Sequence, residues 1–376
     1  MEPRINEKNL KIHRIVIIGC GLIGGSLALT WRRSGMADEI VGVDLRSDHL
    51  EDALRLQIID RAAPLEEAVV DADVIVLATP VQQSINLLME LAKLPLPPNC
   101  VVTDVGGTKR EVCRHALEIL PAHISFIGGH PMAGSEKSGI RAASPRLFEN
   151  AVYVLTPRTD EKKEAVERIR TLVEATGAQI LILDPERHDR LVAAISHLPH
   201  VVAAQLVDQV ADLGEEDPLY AVLAAGGFRD VTRVASGHPG LWREILLTNG
   251  DSIRPLLMEW KRRISLLDQW IEKNDGEAIE TFFRKAADWR DALPVRGRGA
   301  IRPAYQCTVD VPDEPGTIGR IATLLGQHEI NLRNIGILES REGDNGQLIL
   351  TFADETSRND AVRLLESGGY SVHVRA

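Results

Sequence analysis

Several short stretches of this chain gather side chains suited to binding and converting an anionic small molecule. Gly128-Gly-His-Pro-Met-Ala-Gly-Ser-Glu136 follows a strand-like run, and His130 there is a candidate hydrogen-bond partner or base for a hydroxyl group. General-base catalysis of that kind is worth about 10²–10⁴-fold in rate; a loop histidine held by backbone fits the same pattern. Ser196-His-Leu-Pro-His200 opens an amphipathic helix, where Ser196 and His200 share a face and His197 points elsewhere. Those two could close over a ligand, or be a capping serine and a surface histidine. Gly226-Gly-Phe-Arg-Asp-Val-Thr-Arg233 sets two arginines around an acid. An arginine fork suits a carboxylate, and Arg229, Asp230 and Arg233 would also serve as a structural ion-pair network. Asp104-Val-Gly-Gly-Thr-Lys109 ends another strand-like run and can face the same crevice. No His-x-x-x-His pair with a third ligand occurs here, so no metal is expected.

A nucleotide site must stand beside these groups. Arg14-Ile-Val-Ile-Ile-Gly-Cys-Gly-Leu-Ile-Gly-Gly25 is an apolar run ending in Gly-x-Gly-x-x-Gly. A helical pattern follows, and then Ile40-Val-Gly-Val-Asp44. This is a βαβ unit for a dinucleotide. Gly19 makes the tight turn, Gly21 lets backbone approach a pyrophosphate, and Gly24 packs helix on strand. The helix N-terminus at Leu22 and Ile23 offers free N–H groups to the phosphates. Asp44 accepts from a ribose 2′-OH and repels a 2′-phosphate, so the cofactor is expected to be NAD; Arg46 tempers that preference.

Strand-like runs at Ile15–Gly19, Ile40–Asp44, Val74–Thr79, Val101–Asp104 and Ser125–Gly128 alternate with helices. Val152–Thr156 and Gln179–Asp184 flank a further helix. The pattern predicts an α/β, Rossmann-like doubly wound sheet over residues 1–184. Residues 185–296 read as all-helical, a substrate and dimerisation domain with a homodimer as the expected state. Pro294–Pro303 is a linker by composition. Residues 303–376 read as βαββαβ, a small ferredoxin-like domain.

Composition narrows the partners. With 376 residues, 44% hydrophobic and 26% charged, the chain suits two or three globular domains. A formal net charge of −11 without a basic block argues against nucleic-acid and membrane-surface binding. Four cysteines without metal-type spacing fit a reducing cytoplasm. No signal-like segment is expected at the start, and no run is expected to reach membrane-spanning length.

In combination, these segments resemble the prephenate dehydrogenase family with an appended ACT domain, over roughly residues 12–376. The resemblance rests on the glycine motif with Asp44, Ala78-Thr-Pro80, Asp104–Lys109 and Gly129-His-Pro-Met-Ala-Gly-Ser-Glu-Lys-Ser-Gly139. Ser196–His200, Gly227–Arg233 and Leu241-Trp-Arg243 complete it. It implies oxidative decarboxylation of prephenate with hydride transfer to NAD⁺, and arogenate as the nearest alternative substrate. It implies that Thr79 and Pro80 join the cofactor site and that His130 polarises the C4 hydroxyl. Arg233 would bind a carboxylate, and Ser196 and His200 would lie near the substrate. Glu136 and Asp230 would network with the arginine, Ser135 would lie beside them, and Trp242 would line the wall. The family often has serine where this chain has Gly107, leaving Thr108 or water to replace a hydroxyl; a decayed sensor is the remote alternative. The tail implies feedback by an amino acid, tyrosine above all, near Gly316, Asn331 and Asn334.

Overall fold

The structure is a computed structural model, which describes residues 12–134, 139–293, 305–312, 314–338 and 345–374. By contact the chain divides into two units, Met1–Ala287 and Asp288–Ala376. The cut falls inside the helix Gly276–Asp291.

The first unit is built on eight strands: β1 (Ile12–Ile18), β2 (Ala37–Val43), β3 (Arg61–Ala62), β4 (Val74–Leu77), β5 (Val101–Asp104), β6 (Ser125–Pro131), β7 (Val152–Thr156) and β8 (Gln179–Ile182). Their order is β3-β2-β1-β4-β5-β6-β7-β8. All neighbours are parallel except β6 and β7. Strands buried on both faces need continuous apolar runs, and Val74–Leu77 and Val101–Val102 supply them. One face packs Ile15, Ile17, Leu27 and Trp31 with Leu172; the other packs Val16, Ile75, Leu88 and Val102. The expected doubly wound sheet is present, and it gains the short strand β3.

The antiparallel pair relocates one predicted residue. His130 is not in a loop after the strand; β6 runs on to Pro131 because β7 pairs alongside it, with His130 opposite Val154. The two glycines before it let this strand lie close to its neighbours. A Cβ at Gly128 would meet Thr156 Oγ1 at 2.3 Å, and one at Gly129 would meet the Asp104 carbonyl at 2.6 Å.

From Pro185 to Asp291 the described chain is helical. Pro185–Val192 and Leu198–Glu216 join through a π-turn, Ala193–His197. Pro199 lacks the N–H that the preceding turn would use, which accounts for the irregularity there. Ser196 therefore sits inside a continuous helical run and is not an N-cap. The whole run, Pro185–Glu216, is long and apolar enough by length and composition to cross a membrane, contrary to the sequence expectation. Joining two pieces across the π-turn creates that length.

The second unit has the expected βαββαβ order. Its strands are β9 (Tyr305–Pro312), β10 (Leu332–Leu338), β11 (Asn345–Phe352) and β12 (Ser371–Val374), in the antiparallel order β10-β11-β9-β12. The helices Thr317–Gln327 and Glu355–Ser367 bury Ile321, Leu325, Ala361 and Leu365 against Val309 and Leu350. Gly316, at φ +89°, makes the left-handed turn into the first helix. Asn331 and Asn334 are exposed.

Candidate active site

The glycine loop is shaped by exclusion. Gly19, at φ +100°, has no room for a Cβ, which would lie 2.5 Å from the Ala78 carbonyl oxygen. A Cβ at Gly24 would lie 2.2 Å from the Gly19 carbonyl oxygen. At Gly21 a Cβ would meet nothing within 4 Å, so that glycine borders open space. This is the division of labour a pyrophosphate needs. Leu22 and Ile23 begin the helix Leu22–Arg33 behind it. The loop after β4 lies alongside: Ala78 N–H donates to the Ile18 carbonyl at 2.7 Å, and Thr79-Pro80 leads into the helix Val81–Leu91.

Asp44 follows β2. Its carboxylate accepts from Cys20 N–H at 2.7 Å and from Arg46 N–H at 2.9 Å. Arg46 turns its guanidinium to Asp48, with bonds of 3.0 and 2.5 Å. The cation that tempered the NAD expectation is thus engaged by an acid. A dinucleotide with free ribose hydroxyls fits this cradle.

Across the sheet, the Asp104–Lys109 turn is sealed by a buried ion pair between Lys109 Nζ and Asp104. Lys109 Nζ also donates to the Gly129 carbonyl at 2.7 Å, and Asp104 accepts from Gly106 N–H at 2.8 Å and Gly129 N–H at 3.2 Å. Buried charges tolerate such a position only when satisfied in this way. The pair ties the Asp104 loop to the strand that carries His130.

His130 is met from the helical side. Its Nδ1 lies 2.8 Å from Nε2 of His188, whose own Nδ1 lies 2.7 Å from Asp189 Oδ1. His188 and Asp189 are buried. Asp189 further accepts the N–H groups of Lys109 at 2.7 Å and Arg110 at 3.0 Å, capping the helix Arg110–Ile119. Burial pushes His130 well below the usual histidine range. It is neutral at physiological pH.

A second group adjoins this one through Asn249. Its Nδ2 donates to the Asp189 carbonyl at 2.9 Å and lies 3.2 Å from His197 Nδ1. His197 points into the interior, where burial lowers its pKa to about 4. His200 turns the other way: its Nδ1 donates to the Ser196 carbonyl at 2.8 Å, and its ring lies 3.9 Å from that of Trp242. Trp242, on the helix Pro239–Thr248, occupies space a side chain at Gly237 would take, since a Cβ there would lie 2.3 Å from Nε1.

Gly107 borders Ile245, at 3.9 Å from a hypothetical Cβ. Thr108 cannot supply the hydroxyl that glycine lacks. It is buried against Thr248, whose own proton goes to the Glu244 carbonyl at 2.8 Å, so Thr108 donates to Thr248 at 3.0 Å. Arg233 and Asp230 are exposed, on the segment Gly226–Ser236 that packs along the helix bearing His200. Arg229 turns its Nε to the Ala224 carbonyl at 3.2 Å. Ser135 and Glu136 lie outside the described residues.

Sequence reasoning named His130, Ser196, His200, Trp242 and the Asp104–Lys109 turn, but it did not single out His188, Asp189 or Asn249, which bond to these segments. One signal was available. Asp184-Pro-Glu186 reads as a capped helix start, and Asp184 does accept from Arg187 N–H at 2.8 Å. That start places the adjacent His188-Asp189 in the opening turns, facing back to the sheet.

Comparison with known proteins follows the same division of the chain. Residues 27–182 match the model of the prephenate dehydrogenase nucleotide-binding domain, 184–285 that of the prephenate dehydrogenase dimerization domain, and 305–367 that of the ACT domain. A prephenate dehydrogenase of Bacillus subtilis is 43% identical over 94% of this chain and 95% of its own length. A crystal structure of prephenate dehydrogenase from Aquifex aeolicus, in complex with hydroxyphenyl propionate and NAD⁺, aligns at 30% identity. It covers 76% of this chain and 99% of that one, with a TM-score of 0.71. An arogenate dehydrogenase of Synechocystis aligns at 33% identity over 74% of this chain and 99% of its own, with a TM-score of 0.65.

Proposed function

The chain belongs to the prephenate dehydrogenase family, and from that premise we propose that it converts prephenate to 4-hydroxyphenylpyruvate and CO₂. NAD⁺ accepts the hydride, and the reaction serves tyrosine synthesis. The observation that carries the reading is His130, neutral at the end of β6 and held beside the glycine loop's sheet. Its role is to draw the proton from the C4 hydroxyl as carbonyl character develops. Arg233 pairs with a substrate carboxylate, leaving Asp230 and Glu136 to network with it and gate the pocket. Ser196 and His200 contact the side chain, and Trp242 walls it. Because the Nδ1 proton of His200 is committed to Ser196, a protonated ring is needed for Nε2 to donate to an anion. Gly19, Gly21, Leu22, Ile23, Gly24, Asp44, Thr79 and Pro80 hold NAD, which when bound supplies the hydride acceptor. The protein's own contribution is to position, polarise and exclude water.

The helical region works as a homodimer. Val222, Leu223, Leu247 and Met258 are each more than 70% exposed, an apolar surface that a second copy would cover. The ACT domain takes an amino acid, which we identify with tyrosine, where the Gly316 turn offers helix N–H groups to its carboxylate and the exposed Asn331 and Asn334 add polar contacts. All four cysteines are free thiols, in keeping with a reducing cytoplasm.

Steady-state NADH formation tests these assignments together. Prephenate and arogenate are each supplied with NAD⁺ or NADP⁺, with and without tyrosine. A preference for prephenate with NAD⁺, inhibited by tyrosine, is the expected outcome. Preference for arogenate would replace the substrate, and inhibition that survives truncation near Arg302 would move the effector to the active site.

A further inference from the structure

The reaction proposed above has no net proton to dispose of. Hydride leaves C4 with two electrons, and the O–H electron pair becomes part of a carbonyl while its proton goes to a base. When the ring carboxylate departs as CO₂, its bonding pair enters the ring, and the oxygen takes the proton back as a phenol. The base must therefore accept one proton and return the same one. A group sealed from water suits that task, provided its transient charge is stabilised from behind.

We propose that the buried pair His188–Asp189 is that support: it holds His130 in the Nδ1–H tautomer, with Nε2 turned bare toward the substrate, and stabilises the imidazolium when it forms. The proposal rests on the prephenate reading for its chemistry but on geometry for its tautomer. Asp189 accepts two backbone N–H groups, one at each oxygen, so it stands as a carboxylate acceptor. Facing it at 2.7 Å, His188 Nδ1 must donate. A neutral His188 then has a lone pair on Nε2, and the only proton that can fill the 2.8 Å gap to His130 sits on His130 Nδ1. Nothing is left on Nε2 of His130 but its lone pair. Unassisted neutral imidazole commonly carries its proton on Nε2, which would make His130 a donor and useless as a base. His188 and Asp189 reach no substrate atom themselves; they are positioning residues, acting through His130. Their burial, with no more than 1% of either exposed, shields the Nδ1 proton of His130 and the bond behind it from solvent. The support also makes sense of Gly107, since a ring oriented from behind does not depend on a hydroxyl at that position.

The test is the ¹⁵N spectrum of the histidine rings in the NAD⁺-bound full-length enzyme, assigned with a His130→Gln variant, beside kcat and KM. Wild-type His130 is expected as the Nδ1–H tautomer. His188→Phe should convert it to Nε2–H and lower kcat about 10²-fold or more, with KM little changed. His188→Gln, whose amide oxygen can accept from Nδ1–H, should restore the tautomer and part of kcat. A wild-type His130 found as Nε2–H overturns the proposal, as does a His188→Phe enzyme with unaltered tautomer and kcat. The wild-type spectrum decides the tautomer even where a variant fails to fold. The expected tautomer in an enzyme that does not turn over prephenate would remove the substrate reading and leave the geometry standing.

Discussion

The ring of Trp242 lies 3.9 Å from that of His200, tilted by 31°, while the carbonyl of Ser196 holds Nδ1 of the same histidine. One face and one edge of His200 are thereby fixed before any ligand arrives. Stacking of this kind is worth about 0.5–1.5 kcal/mol. Trp242→Leu should raise KM for prephenate about two- to tenfold while leaving kcat nearly unchanged. A fall in kcat at constant KM would show that the indole acts on the reaction step instead.

The Asp104–Lys109 pair makes a prediction about stability. Lys109→Met leaves Asp104 without its cation in a fully buried position, at a cost of about 3–5 kcal/mol. The urea midpoint of the first unit should fall accordingly. Asp104→Asn combined with Lys109→Met should recover part of the loss, because no unpaired charge remains. A midpoint unaffected by the single change would mean that water reaches the pair.

Gly107 and Gly24 should respond oppositely to an added side chain. A Cβ at Gly107 makes ordinary contact with Ile245, so Gly107→Ser should fold normally. If its hydroxyl gains one hydrogen bond in the transition state, kcat should rise up to about tenfold. Gly24→Ala drives a methyl into the Gly19 carbonyl oxygen and should weaken NAD binding, read by fluorescence titration, without abolishing the ACT domain's fold. A Gly107→Ser enzyme with impaired binding would show that ligands come closer to that backbone than the free space implies.

One buried histidine, His197, and one half-buried, His130, set an acid limit. His197 falls to about 4 through burial, and His130 is lowered in the same way. The unfolded chain, near 6.5 for both, binds more protons than the folded one below that pH, so stability is lost as pH falls from 6.5 toward 4. His197 alone contributes on the order of 3 kcal/mol over that window. Urea midpoints between pH 7.5 and 4.5 should decline, and His197→Gln should flatten the slope. Catalysis should behave differently, since the role proposed for His130 needs the neutral ring. The value of kcat/KM should hold below pH 6.5 and drop only as the depressed titration is reached. An acid limb centred at 6.5 would show His130 to be solvated.

The nucleotide half was legible because its signals are local. A βαβ unit needs an apolar run, glycines at fixed offsets and an acid after the next strand, all within about thirty residues. The terminal domain was legible for the same reason. The catalytic surroundings were not, because they depend on where segments meet. His130 reads as a loop residue until β7 is known to pair with β6. Ser196 reads as a cap until the π-turn makes one run of two helices. Thr108 reads as a spare hydroxyl until Thr248, 140 positions on, takes its proton. His188 and Asp189 show no spacing to His130 at all; a separation of 58 residues is closed only by the packing of helix on sheet.

The bond from Cys20 N–H to Asp44 has a practical consequence for redesign. The carboxylate that would select the cofactor also fastens the loop that would receive it, so preference and receptor are inherited as one trait. Exchanging Asp44 for a small or basic residue to admit a phosphorylated ribose would cut that tether as well. A cofactor switch in this scaffold therefore calls for at least two coordinated changes: one to welcome the extra phosphate, another to re-anchor the turn.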